Sequence, residues 1–393
     1  MQFKPLTTSL LVRAFTSINA FFPATTKTTN FARFASSTSF TANQNFINNK
    51  TKRPAIAKAQ TALDENDEKG SFKRTAAGYR NTIEEDGSFP PEANRYHLYV
   101  SLACPWACGT LAALKYKGLD DVIGHSIVHS TWRRTRPDDP EDKHIGWHFR
   151  SPGDDPVSNE LGYGSNDCDD ALVPDTVYGF KTIRDLYEKA EDKTGTYSTP
   201  VLWDKKEGTI VCNESLDILK IFDSAFDGTS LLKHPENKLF PSVPGEAEEA
   251  EGLNEWIYPT VNDGVYRCGF AKLQGAYSKA HEELFSSLER LEEHLKKSDS
   301  ERCFLTSDNF IWIDLRLYMT LVRFDPVYVV FFKTSHKRIA DYPHILEYMR
   351  RCYKVPAVKA VTNIKHIKQH YFTSNSALNT YGIIPVHNGP DLE

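Results

Sequence analysis

The first 63 residues contain no aspartate and no glutamate. Eight lysines and arginines, from Lys4 to Lys58, are the only charged side chains there. The rest of the 393-residue chain holds 39 of the 47 basic residues and all 52 acidic ones, a net of −13 masked by the overall −5. A body so acidic is a poor general binder of nucleic-acid phosphates. Long apolar runs are missing as well. Val327–Phe332 is the longest strongly apolar run near the C-terminus, far short of the roughly 20 residues that cross a bilayer, so no membrane insertion is expected. Cysteine is sparse: Cys104, Cys108, Cys168, Cys212, Cys268, Cys303 and Cys352. An odd count without paired spacing argues against a secreted disulfide framework and for a reducing compartment. No double CxxC pattern occurs, so no metal is expected.

What is present describes a folded body behind a leader. Forty per cent apolar and 12% aromatic residues exclude global disorder. The part beyond residue 63 is long enough for two domains of ordinary size. Residues 1–63 are rich in Ser, Thr, Phe and Ala. Over Phe3 to Phe22 the spacing predicts a helix with Leu6, Leu10 and Phe15 near one face. Arg13 interrupts the apolar stretch, which fits an organelle transit peptide better than a secretory signal. The expected address is mitochondrial, with the plastid as alternative. A tail without an address is the bland reading.

Residues 64–95 are polar and turn-rich and read as an extended arm. Tyr96–Val100 then reads as a buried strand, and a helix is expected from Pro105 to Lys117, since proline is tolerated in a first turn. Val122 to His129 reads as a strand. A long polar segment, 130–173, is of the kind that is usually functional. Val177 to Ala190 reads as a helix, Ser198–Trp203 and Thr209–Cys212 as strands, and Glu214 to Phe222 as the next helix. This β-α-β-α-β-β-α order, over 96–240, matches a thioredoxin-like domain. In 241–372 only helices are expected: Glu246–Tyr258, Ser278–Lys297, Asp314–Val330, Pro343–Cys352 and Ala357–His370. Residues 373–393 read as a tail. An α/β thioredoxin-like domain followed by an all-α domain is the outline of the glutathione transferase fold.

Cys104 falls between a strand and a helix, in Cys-Pro-Trp-Ala-Cys. The start of a helix offers unpaired N–H groups and partial positive charge, which stabilise a thiolate and make it a nucleophile. An inert, half-buried thiol is the alternative. Cys108 stands one helical turn deeper, the wrong spacing for a CxxC dithiol, so packing is expected of it rather than resolution. A monothiol site needs an external thiol to complete a cycle. Thr199-Pro200-Val201 fits the strand edge that faces such a nucleophile, where a cis proline would present backbone groups to a peptide. Asn213-Glu214-Ser215 opens a helix: its N–H groups and the Ser215 hydroxyl suit a carboxylate, and Glu214 suits an amino group. A plain helix cap uses the same residue types.

Cys104-Pro105-Trp106-Ala107, Trp132, Thr199 to Trp203 and Asn213-Glu214-Ser215 resemble one family as a set. So do Asn254 to Pro259, Asn262 to Arg267, Arg323 to Tyr328, Ala340 to Pro343, His366 to Tyr371 and Gly382 to Pro385. The chain resembles the glutathionyl-hydroquinone reductases, or Xi-class glutathione transferases, from about Asp64 onward. The resemblance implies glutathione as cosubstrate, a homodimer, and a substrate with glutathione on a hydroquinone ring. It implies that Cys104 attacks the glutathione sulfur and that a second glutathione resolves the mixed disulfide. By the same carry-over Trp132, with Arg133 or Arg136, contacts glutathione. Thr199, beside Pro200, bonds its cysteinyl backbone, and Glu214 with Ser215 its γ-glutamyl end. Tyr258, Tyr266 and Tyr371 receive the ring, as phenols can both donate and stack.

There are departures. Ile311 stands where the family carries a capping Thr, a loss of about 1 kcal/mol of cap. Thr199 replaces the usual Val, and Cys212 adds a thiol near the glutathione end. An Omega-like thiol transferase or dehydroascorbate reductase would use the same Cys104. A non-catalytic quinone-binding protein would not need it.

Overall fold

The computed structural model describes residues 65–298 and 302–393. Residues 1–63, with the helix expected over 3–22, lie outside the described residues. Four strands form the central sheet in the order β2-β1-β5-β6: β1 (Tyr96–Val100), β2 (Gly124–Ile127), β5 (Val201–Asp204) and β6 (Thr209–Cys212). β1 runs parallel to β2 and antiparallel to β5, with Tyr99 opposite Val201. A small antiparallel pair, β3 (Arg133–Arg134) and β4 (Ile145–Gly146), sits in the long segment after β2.

Alternation along the strands feeds two cores, because successive side chains leave opposite faces of a sheet. Leu98, Val100 and Leu202 pack on one side with α1 (Pro105–Tyr116) and α3 (Ser215–Ser224). Tyr99, Val201 and Trp203 pack on the other with Ile183, Leu186 and Tyr187 of α2 (Ile183–Lys189). α2 is shorter than the sequence reading, which began at Val177. The carboxylate of Asp175 takes the backbone N–H groups of Val177 and Phe180, and a Thr182–Asp185 capping box starts the helix at Ile183.

The helical part comprises α4 (Pro244–Ile257), α5 (Gly264–Gly269), α6 (Gln274–Ser298), α7 (Trp312–Arg323), α8 (Val329–Phe331), α9 (Pro343–Tyr353), α10 (Pro356–Val361) and α11 (Ile364–Ser374). Its core is continuous with that of α1 and α3, so the described residues form one compact unit. On α6, Leu284, Leu288, Leu291 and Leu295 are all buried, as one face of an amphipathic helix should be.

Two expected helices are interrupted. The one read over Asp314–Val330 stops at Arg323 and widens into a π-type turn at Phe324–Tyr328. Pro326 has no N–H to give and would crowd the carbonyl one turn back. The one read over Ala357–His370 breaks at Thr362, and the Asn363 side chain restarts it by accepting from His366 N at 2.9 Å. At the head of α7, Asp314 compensates for Ile311: its buried carboxylate takes the N–H groups of Ile311 (3.1 Å) and Leu305 (3.0 Å). The last residues are pinned rather than loose, with Lys368 Nζ bonding Asn388 and Lys359 pairing with Glu393.

Candidate active site

Cys104 is the residue that caps α1, with extended backbone (φ −76°, ψ 121°) and Pro105 following. Its carbonyl accepts the N–H of Cys108 at 2.9 Å, so the thiol stands at the open end of a 12-residue helix. The loop that delivers it is held from the helical part. Arg323, fully buried on α7, donates Nη2 to the Leu102 carbonyl and Nε to the Ala103 carbonyl, each at 3.0 Å. Cys104 is half-buried, and its Sγ lies 3.7 Å from the Thr199 carbonyl, across the cis Thr199–Pro200 peptide.

A cleft of about 310 Å³ opens at this thiol. Thr199, Pro200, Glu214 and Ser215 line it beside Cys104, as does Trp132. Glu214 also caps α3, accepting from Leu216 N at 3.3 Å, so the capping and site-lining readings hold for one residue. Among the described residues three polar atoms of the cleft lining are buried without a partner: Trp106 Nε1, Trp132 Nε1 and Thr199 Oγ1. Buried donors in folded proteins are nearly always paired, so such atoms mark where a ligand would bond. Trp132 is set by its backbone N–H to Ser374 Oγ (2.9 Å) and by edge contacts of its ring with Trp147 and His370.

The opposite wall carries the tyrosines. Tyr258, Tyr266 and Tyr371 all line the cleft. Tyr266 and Tyr371 share a 2.7 Å hydroxyl contact, and Tyr328, one layer back, reaches Tyr371 at 3.2 Å. Burial pushes Tyr266 and Tyr371 well above the ordinary phenol range, so both stay protonated donors. His370 stacks on Trp147 (4.5 Å), and burial drives it down to about 4, which leaves it neutral.

Arg133 and Arg136 are not brought to the cleft. Arg133 is exposed on β3. Arg136 is committed to α2, at 2.8 Å from Asp185 and in contact with Glu188. Cys108 is buried and donates to the Val361 carbonyl at 3.2 Å. Cys212 is buried against Glu214, and burial pushes its thiol up to about 12. Neither thiol lines the cleft. Among the described residues no group of three or more Cys, His, Asp or Glu converges as metal ligands.

Sequence reasoning missed Arg74, Trp147, His370 and Tyr328. Trp147 and His370 lie in stretches read as loop and helix without a chemical signal of their own. Arg74 sits in the arm, and nothing local says that the arm reaches the helical part. Tyr328 was legible only as part of a family motif.

Family models for the N-terminal and C-terminal domains of glutathione S-transferase match residues 103–225 and 274–351. The chain is 38% identical over 333 residues to the glutathionyl-hydroquinone reductase YqjG of Escherichia coli, covering 82% of this chain and 91% of that one. It is also 38% identical to the Omega-like glutathione S-transferase 2 of Schizosaccharomyces pombe, covering 82% and 95%. Among solved structures, the Xi glutathione transferase of Phanerochaete chrysosporium is similar at 39% identity and a TM-score of 0.70, covering 82% of this chain and 94% of that one. Glutathione-bound YqjG matches at 38% and 0.68, covering 80% and 94%. Fold and relatives agree, and the chain belongs to the Xi-class glutathione transferases, the family of the glutathionyl-hydroquinone reductases.

Proposed function

We propose that the protein reduces glutathionyl-hydroquinones at the expense of glutathione, with Cys104 carrying the glutathionyl group between two half-reactions. The Cys104 thiolate attacks the sulfur that joins glutathione to the ring. The S–S bond forms as the C–S bond breaks, and the electron pair leaves with the ring, which takes up a proton to become the free hydroquinone. A second glutathione thiolate then attacks the mixed disulfide. Oxidised glutathione departs and Cys104 returns as a thiolate. The chain's own tasks are to hold the peptide, with Trp132, Thr199, Pro200, Glu214 and Ser215, and to seat the ring against Tyr258, Tyr266 and Tyr371.

One observation carries this reading. Cys104 faces the cleft without a second thiol, because Cys108 points into the Val361 carbonyl. The cycle therefore needs an external thiol, and protonated phenols stand ready for ring oxygens. A relative named glutathionyl-hydroquinone reductase supports the same substrate. The Omega-like names among the relatives keep a broader thiol transferase as the second reading. Turnover of a glutathionyl-menadione-type hydroquinone against dehydroascorbate decides between them. Intact mass after the first half-reaction should show one glutathione on Cys104, and Cys104→Ser should lose turnover yet keep glutathione binding. Unchanged turnover in that variant would refute the mechanism. We place the reaction in a mitochondrial matrix or plastid stroma, in a homodimer. Residues 1–63 fused to a fluorescent reporter, and light scattering of the purified protein, test those two points.

A further inference from the structure

We propose that Arg74 is a substrate-binding residue that reads an anionic oxygen, a carboxylate above all, on the ring of the glutathionylated substrate. The inference rests on the hydroquinone reading above and adds the class of ring the cleft favours. Arg74 comes from the arm, which is tied down at both ends. On one side Gly70 accepts Lys272 N–H at 2.9 Å, and Phe72 is buried against Tyr266 and Phe270. On the other, Tyr79 and Asn213 exchange two 3.0 Å bonds. Residues 74–79 between these anchors line the cleft.

The guanidinium carbon lies 4.9 Å from the ring centre of Tyr266 and 5.2 Å from those of Trp106 and Phe72. Those contacts put it on the ring half of the cleft. Among the described residues it is the only lysine or arginine in the lining. Asp263 takes Nε at 3.0 Å and Nη2 at 2.9 Å through a single oxygen, Oδ1. Nη1 has no hydrogen-bond partner among the described residues. The fork is thus oriented by one carboxylate and still has an edge to offer, and a guanidinium edge suits a planar oxyanion. A carboxylate of glutathione has the same chemistry, but the contacts with Tyr266, Trp106 and Phe72 favour the ring as its source.

The test uses the full-length protein and three synthetic substrates: glutathionyl-hydroquinone itself, its ring-carboxylated form, and the methyl ester of that form. The wild type should favour the acid over the ester in kcat/KM by about tenfold, the size of one charge-assisted hydrogen bond at a partly exposed site. Arg74→Gln should bring the ratio to about one, and Arg74→Lys should keep part of it. Asp263→Asn, which frees the guanidinium of its counter-ion, should raise the ratio. These last two variants retain a cation, so the test survives if Arg74→Gln folds poorly. A ratio near one in the wild type, or one that Arg74→Gln leaves unchanged, overturns the proposal. So does a fall in Asp263→Asn. Equal losses on all three substrates, together with sensitivity to esterifying the glycyl carboxyl, would assign Arg74 to the peptide instead and also overturn it. Those failures leave the unsubstituted substrate turned over by the wild type, whereas inertness toward all three would overturn the hydroquinone reading itself.

Discussion

Replacing Arg323 should both destabilise the protein and unseat its nucleophile. Arg323 is fully buried and donates to the carbonyls of Leu102, Ala103 and Met319, and no carboxylate among the described residues pairs with it. In Arg323→Met the side-chain volume is roughly kept, so little cavity cost arises. The buried carbonyls of Leu102 and Ala103 lose their donor, at about 1–3 kcal/mol each, while that of Met319 keeps its helical N–H. Against this, the folded state no longer has to dehydrate a guanidinium, which returns several kcal/mol. The two effects oppose each other and leave a net loss of about 1–3 kcal/mol, read as a lower urea midpoint at constant slope. Two of the three carbonyls immediately precede Cys104, so the thiol should also lose its registration against Thr199. A misplacement of about 1 Å costs on the order of 100-fold in rate. The discriminating assay is alkylation of Cys104 and kcat measured well below the denaturation midpoint. If Arg323→Met melts within about 1 kcal/mol of the wild type and keeps its kcat, the account of how the helical part holds the nucleophile is wrong.

Other perturbations follow from the same contacts. Burial raises the Asp314 carboxyl to about 6, so its contribution to stability is full below the unfolded value near 4 and is lost as pH rises through about 6. Asp314→Asn should flatten that fall by on the order of 2 kcal/mol between pH 4 and 7, and equal pH slopes in the two proteins would count against it. A methyl at Gly269 would stand 2.0 Å from Phe332 Cδ1, and Phe332 stacks on Tyr328 at 5.1 Å. Gly269→Ala should therefore cost about 1–3 kcal/mol and disturb the tyrosine cluster, visible as a changed tyrosine absorption difference spectrum. An unshifted melting curve would contradict it. Ser374→Ala removes the acceptor for the Trp132 backbone N–H and should raise KM for glutathione several-fold while sparing kcat. Calorimetric glutathione affinity equal to wild type would refute that placing of Trp132.

Local rules in the sequence carried the fold far. Strand alternation, the proline after Cys104 and the leucine stripe of α6 each reflect backbone sterics or one-face burial, which act over a few residues. So the strand–turn–helix around Cys104 could be read from residues 96 to 117, and with it the reason a thiol there is chemically special. Helix ends were harder. The breaks at Pro326 and Thr362 and the late start of α2 depend on which side chain captures a given N–H, and Asp175 and Asp314 do so from positions that periodicity does not mark.

The acid-free first 63 residues and the acidic remainder are properties of composition, and the sequence alone establishes them. The thiol's position at a helix start is also set by local sequence. Tertiary structure decided what surrounds that thiol. Arg323 reaches the carbonyls before Cys104 from 220 residues away, and Ser374 fixes Trp132 across 242. Arg74 enters the cleft beside Tyr266 through an arm that precedes the first strand, while Arg133 and Arg136, near Trp132 in the chain, turn to solvent and to α2. Such pairings arise only when the helical part packs onto α1 and α3 in one shared core and brings distant polar groups together in a water-poor space. There an unmatched donor is costly, and each group is held by whichever partner the packing supplies.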